Sequence, residues 1–197
     1  MYRVAVALLV LSRAAIAGPK PTDLIDVTTA IPDAILDIRY ATKDNFTGGV
    51  LYPRSACKLR RAVVAKLIKA AEALRTQDRR LLLWDCYRPL SIQKALWKTV
   101  SDPRYVADPS VGSKHNRGAA VDLAVVDKDG KPVALPTHFD DFTAAAHRDR
   151  ALVGVKGREA KRLEDAMLAA GFIAMPTEWW HFDASDAANY ALSDEPL

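Results

Sequence analysis

Nowhere does the chain carry an apolar run long enough to cross a membrane as a helix. The longest run, residues 4–11, falls far short of the ~20 residues that a spanning helix needs. Cysteine is scarce as well: there are two, Cys57 and Cys86, and neither has a Cys or His neighbour at zinc-finger spacing, which argues against a thiolate-held metal. Neither sign of charge dominates, with 28 basic against 24 acidic residues. The basic residues, such as Arg60-Arg61 and Lys66 with Lys69, are scattered along helical stretches and form no aromatic-studded stripe, so nucleic acid is not an expected partner. Repeats and low-complexity segments are absent, which excludes fibrous and solenoid classes.

What is present suits one globular domain. Half of the 197 residues are hydrophobic, enough for a single core. The first residues read as a leader: Arg3 supplies a positive start, residues 4–11 an apolar centre, and Ala15-Ile16-Ala17 a small-residue cleavage site. The expectation is a signal peptide over residues 1–17, cleavage after Ala17, and a periplasmic or secreted single domain over 18–197. The competing reading is an N-terminal strand or buried helix, and Arg13 sits awkwardly for a leader. No Cys follows the cleavage site, so no lipid or membrane anchor is expected. Losing Arg3 and Arg13 with no acid takes the net charge from +4 to +2. In an exported protein, Cys57 and Cys86 suggest a disulfide, with two buried thiols as the alternative.

Periodicity predicts a strand over 34–40, a helix over 57–74 and a buried strand over 80–86. A second helix over 91–100, capped by Ser91, leads into a long loop over 101–118. A strand over 119–126 turns at Asp127-Lys128-Asp129-Gly130 into a return strand over 133–135. A third helix over 158–170 ends at Gly171, before a last strand over 172–182. The pattern implies an α+β fold, with helices packed on a small, largely antiparallel sheet.

Two segments carry chemistry. In the first, His115 leaves the long loop, Gly118 permits a tight turn and Asp122 enters a strand. A His and a carboxylate at one rigid strand entry are two of the three protein ligands that a catalytic zinc needs. Alone, such a pair is more often a structural hydrogen bond. In the second, Glu178-Trp179-Trp180-His181, His181 can complete the ligand set and Glu178 can act as general base. Positions three apart on a flat strand face opposite ways, so a bulge or turn is needed there. Taken alone, this segment reads as a strand end with two core tryptophans.

Taken together, Ser113-x-His115-x-x-Gly118-x-x-x-Asp122 followed by Glu178-x-x-His181 resembles the zinc D,D-peptidase superfamily. That superfamily includes D,D-carboxypeptidases, phage endolysins and vancomycin-resistance-type D-alanyl-D-alanine dipeptidases. Three further segments resemble the dipeptidase branch: Tyr40-Ala41-Thr42-x-Asp44-Asn45-Phe46-Thr47-Gly48, Trp84-Asp85-x-Tyr87-Arg88-Pro89, and Phe139-Asp140. The likeness runs from about Asp23 to His181. It implies one Zn2+ held by His115, Asp122 and His181, with Glu178 as general base and acid. It implies that Arg88 faces the oxygen that becomes negative, that Asp140 receives a dipeptide's ammonium, and that Tyr40 and Ser113 line the pocket. Cys86 departs from the family pattern, which has a small residue there. His138 and His147 match no ligand position, and Asp183 is a candidate partner for His181.

The expected function is therefore zinc-dependent hydrolysis of D-alanyl-D-alanine-type dipeptides in cell-wall turnover. Two other readings stay open: a carboxypeptidase or endopeptidase acting on peptidoglycan stem peptides, and a non-catalytic zinc-bound binding module. Glu178 and Arg88 argue against the module, because a structural zinc needs neither.

Overall fold

The computed structural model describes residues 18–197, so the leader expected over 1–17 lies outside the described residues. The chain begins with β1 (Leu24–Asp26), a single turn α1 (Val27–Ala30) and β2 (Ile35–Leu36). There follow β3 (Lys58–Arg60), α2 (Arg61–Arg75), β4 (Arg79–Asp85) and α3 (Leu90–Thr99). The second half holds β5 (Ala120–Asp127), the short α4 (Arg148–Ala151), α5 (Gly154–Ala169), β6 (Phe172–Ala174) and β7 (His181–Ala184). Five strands form one sheet in the order β2-β4-β5-β7-β6, with only the β2–β4 pair parallel. The α+β expectation holds. No described helix is long and apolar enough to cross a membrane.

The core follows from the apolar spacing. In α2, Val63, Leu67, Ala70 and Leu74 recur at helical intervals and are all buried. This helix packs on α5 and β4, while α5 also touches β5 and β6. Arg79 on β4 grips Glu159 on α5 through two hydrogen bonds of 2.8 Å. β5 lies at the middle of the sheet and is buried over nearly its whole length, as expected for a strand that is apolar except for Asp122 and its last residue.

Several expected elements change at their ends. The strand over 34–40 shrinks to β2, and residues 39–41 form a helical turn that carries Tyr40. Residues 58–60 are a strand paired with β1, so α2 starts only at Arg61. Ser91 lies inside α3 and does not cap it; its N–H is taken by the Asp194 carboxylate at 2.7 Å. The return strand over 133–135 is absent: a single bridge joins Val126 to Pro132, and a proline has no N–H to extend a ladder. α5 begins at Gly154, four residues ahead of the expected start. The last strand is two strands, β6 and β7, which fold back on each other around residues 175–180.

Cys57 and Cys86 are joined in a disulfide, with a sequence separation of 29 and a Cα–Cα distance of 5.2 Å. It ties the entry of β3 to the exit of β4. Closing a loop of that length stabilises by about 3–4 kcal/mol in the chain-entropy model. The Cys57→Ser/Cys86→Ser double variant is expected to lose that much in urea unfolding.

The Arg79 contact holds the Glu159 carboxyl below its ordinary value, against the opposing effect of burial. A depressed folded-state pKa adds stability above the unfolded value of about 4.3 and loses it as pH falls through the folded value. Glu159→Gln is expected to cost about 2 kcal/mol at pH 7. That gap should close as the wild type is titrated toward pH 3, monitored by urea unfolding at each pH.

Candidate active site

β4 and β5 pair in strict register until a bulge between Leu83 and Asp85. The bulge sets Asp85 opposite Asp122, two carboxylates side by side in the interior. Beyond Asp85 the chain leaves the sheet and presents Arg88. The Arg88 guanidinium donates to Asp85 Oδ2 through Nε (3.0 Å) and Nη2 (2.6 Å), and to Gln93 Oε1 through Nη1 (2.9 Å). Tyr52 donates to the other Asp85 oxygen at 2.6 Å. Burial alone would lower the Arg88 pKa, but the Asp85 charge overrides it and holds Arg88 cationic.

His115 sits on a helical turn, His115–Arg117, ended by Gly118 at φ 66°. A Cβ at Gly118 would stand 2.5 Å from the Leu24 side chain, so this left-handed turn needs glycine. His181 opens β7 directly opposite Asp122. The ligand-capable atoms of His115, Asp122 and His181 lie within 4.8 Å of one another, and all three residues are buried. Among the described residues no other group of this kind occurs.

The hydrogen bonds behind the rings decide what the front can hold. His115 Nδ1 lies 2.7 Å from the Cys86 carbonyl oxygen, which can only accept, so Nδ1 carries the proton and Nε2 offers a lone pair. His181 Nε2 lies 3.0 Å from Asp183 Oδ1, which leaves Nδ1 free in the same way. The two free nitrogens stand 3.2 Å apart, with Asp122 Oδ1 2.9 Å from one and Oδ2 3.3 Å from the other. Lone pairs that close repel unless a cation sits among them. The donor set therefore fits a divalent metal, and two imidazoles with one carboxylate suit zinc. Burial would lower the His181 pKa, but the bond and charge from Asp122, with Asp183 behind, hold it up at about 10. Burial would raise Asp122, but the two histidines drive it well below the carboxylate range.

Glu178 precedes β7 in the turn over 175–180, which supplies the break that its spacing from His181 demands. Its Oε2 lies 3.8 Å from His181 Nδ1. Burial raises the Glu178 pKa, and the Asp122 charge adds to this. Asp140 takes a left-handed backbone at φ 57° and accepts a 3.1 Å hydrogen bond from the Tyr40 hydroxyl. Burial, then the Asp122 charge, raises Asp140 well above its ordinary value. Ser113 Oγ accepts from the His115 N–H at 3.2 Å.

All eight predicted catalytic, metal and substrate residues line one cavity of about 130 Å³. His138 and His147 stand outside it; His147 lines a neighbouring cavity that Glu178 also borders. Sequence reasoning missed Gln93, Tyr52 and the backbone carbonyl of Cys86. Asp85 was quoted within a motif but given no role. A buried glutamine in α3, one turn past Arg88, was the available signal for Gln93.

Asp183 projects on the same side of β7 as His181, as a two-residue step requires. Asp183→Ala is expected to weaken metal affinity about 10- to 100-fold, as loss of such a carboxylate does elsewhere. Competition against a chromogenic chelator reads this directly; unchanged affinity would mean that packing alone orients the ring.

Chemistry of this kind, in a cavity this small, belongs to a metallopeptidase. The family model described as D-ala-D-ala dipeptidase matches residues 20–195. A D-alanyl-D-alanine dipeptidase from Escherichia coli (strain K12) is 34% identical over 172 residues, covering 87% of this chain and 89% of its own. Another from Enterococcus faecium is 33% identical over 190 residues, covering 81% and 86%. The chain belongs to the D-Ala-D-Ala dipeptidase family. Among solved structures it is similar to a vancomycin-resistance D,D-dipeptidase, VanXYg, in complex with a D-Ala-D-Ala phosphinate analogue. That likeness has 19% identity and a TM-score of 0.43, and covers 76% of this chain and 57% of that one.

Proposed function

We propose that the protein hydrolyses D-alanyl-D-alanine-type dipeptides to free amino acids with one zinc ion per chain. The observation that carries this reading is the charge layout of a small cavity. A free dipeptide has an ammonium, a carboxylate and one amide between them. The cavity's volume of about 130 Å³, with Arg88 and Asp140 both on its wall, favours a small substrate that carries both charges over a stem peptide.

His115, Asp122 and His181 hold the metal, which when bound supplies Lewis acidity to water and to the scissile carbonyl. Glu178 takes a proton from the attacking water as the O–C bond forms, and delivers it to the leaving nitrogen as the C–N bond breaks. A carboxyl whose pKa is raised by burial is suited to both halves of that transfer. Arg88 is held by Asp85 and Gln93, so its cation meets the carbonyl oxygen as charge develops, with no reorganisation needed. Asp140 is costly to ionise where it is buried near the Asp122 charge, and a substrate ammonium offsets that cost by pairing with it. Tyr40 fixes the Asp140 carboxyl, and Ser113 lines the wall beside His115.

We further infer that the protein is exported through residues 1–17 and acts in cell-wall turnover, salvaging D-alanine from released dipeptides. The leader-like sequence and the disulfide support this reading. Fractionation of expressing cells tests it: intact residues 1–17 on a cytoplasmic protein would overturn export.

Hydrolysis of D-Ala-D-Ala, L-Ala-L-Ala and a stem pentapeptide, before and after chelation, tests the main reading. Zinc-restorable cleavage of D-Ala-D-Ala alone is expected. Glu178→Ala should keep its zinc and lose about 10²- to 10⁴-fold in kcat. Cleavage of the pentapeptide alone would keep the metal site and refute the argument from cavity size. Zinc binding without cleavage of any substrate would favour a binding module.

A further inference from the structure

Glu178 and His181 both depend on one short turn, residues 175–181, yet that turn holds itself loosely. Its internal bonds, Glu178 N–H to Met175 O and His181 N–H to Glu178 O, are both 3.4 Å, beyond the usual range for an amide hydrogen bond. The Met175 N–H to His181 O bond that closes it is 3.2 Å. Something outside the turn must set its shape.

Two backbone bonds of 3.1 Å hold the turn's middle, Trp179 N–H to Ala146 O and Leu123 N–H to Trp180 O, and Arg148, the first residue of α4, is the element that spans its two ends. Its Nε donates to Met175 O at 2.7 Å and its Nη2 to His181 O at 2.9 Å, so one guanidinium bridges both ends of the turn. Its own N–H donates to Pro176 O at 2.9 Å. The third arm, Nη1, is anchored on Glu164 of α5 at 2.8 Å, and the guanidinium carbon sits 4.4 Å from the centre of the Phe182 ring. All these bonds are shorter than the turn's own. A planar guanidinium presents its donors in a fixed fork, so it sets the separation of its acceptors as well as binding them.

We propose that Arg148 is a positioning residue, which sets the spacing of Glu178 and His181 by bridging the two ends of the turn that carries them both. The inference rests on the reading of Glu178 as base and His181 as ligand. Arg148 lines none of the site cavity; it holds the turn through backbone carbonyls, and its charge is also felt by Glu178, an effect that a lysine at this position would keep. Burial lowers its pKa, and Glu164 opposes that effect.

The test compares Arg148→Lys and Glu164→Gln with the wild type, each as the full chain. Zinc affinity is measured by chelator competition at 25 °C, and kcat and KM are measured with D-Ala-D-Ala. A lysine keeps the charge but has one nitrogen and cannot span three acceptors. Arg148→Lys is expected to weaken zinc about tenfold or more, in the range seen when ligand-orienting groups are lost. It should lower kcat about 30-fold with KM within about threefold, because Tyr40, Ser113 and Asp140 lie on other segments. Glu164→Gln, which frees the anchor and keeps the fork, should show the same pattern more weakly. A folded Arg148→Lys protein with a lower melting temperature but wild-type zinc affinity and kcat would overturn the proposal, since that is the signature of a purely structural ion pair. Should Arg148→Lys fail to fold, Glu164→Gln decides by the same criterion. If the wild type binds zinc but cleaves no dipeptide, the substrate reading fails while the zinc arm still tests the positioning.

Discussion

Two carboxylates, Asp85 and Asp122, face each other across the β4–β5 bulge, both all but removed from water. A buried charge without a partner costs several kcal/mol, and two adjacent like charges cost more. Each must therefore have its own cation. Asp85 has Arg88, together with hydrogen bonds from Tyr52 and the Cys86 N–H. Asp122 has only two histidines whose protonated nitrogens are committed behind them, so its cation must come from outside the chain or be a proton. A division of labour follows: one acid fixes a permanent cation on the cavity wall, and the other creates a place that fits a metal.

The same backbone segment serves both. Residues 85–88 supply the acid that holds Arg88, the carbonyl that orients His115, and the disulfide to Cys57. Asn116 closes the circuit, donating to the Arg88 carbonyl at 2.8 Å while its Oδ1 accepts from the Ser113 N–H. Arg88 and His115 are thus tied by backbone bonds as well as by proximity. A disulfide at this place stiffens a segment that the fold would otherwise leave as an irregular strand exit.

Elements with strong internal periodicity were legible in the sequence: α2, β4 and β5 lie close to where apolar spacing puts them. His115, Asp122, Glu178 and His181 were legible through the family resemblance of their motifs taken together; each pair alone reads as ordinary structure. The failures have one physical source, pairing between distant segments. Residues 58–60 have a helical pattern but become strand because β1 offers them a ladder. Residues 172–182 read as one strand because apolar residues flank Pro176-Thr177-Glu178 on both sides, but that break is where the chain turns back between β6 and β7. Gln93 and Arg148 were invisible for the opposite reason: each resembles an ordinary helix residue, and only three-dimensional proximity gives it an acceptor to hold.

The last residues make this point most sharply. From 190 onward the chain has no regular structure, and by composition it reads as a tail. Yet Ser193 donates to the Asn116 carbonyl at 2.9 Å and accepts from the Leu90 N–H at 3.1 Å. Tyr87 donates to the Glu195 carbonyl at 2.9 Å, and Arg117 reaches the Tyr190 carbonyl at 2.5 Å. The side chain of Leu192 packs so closely on Gly112 that a Cβ there would stand 2.4 Å from it. The segment thus joins the turn carrying His115 to the start of α3, just past Arg88. Two loops of the site that lack a ladder of their own take backbone partners from this segment. The geometry of the site therefore depends on irregular segments as much as on the sheet.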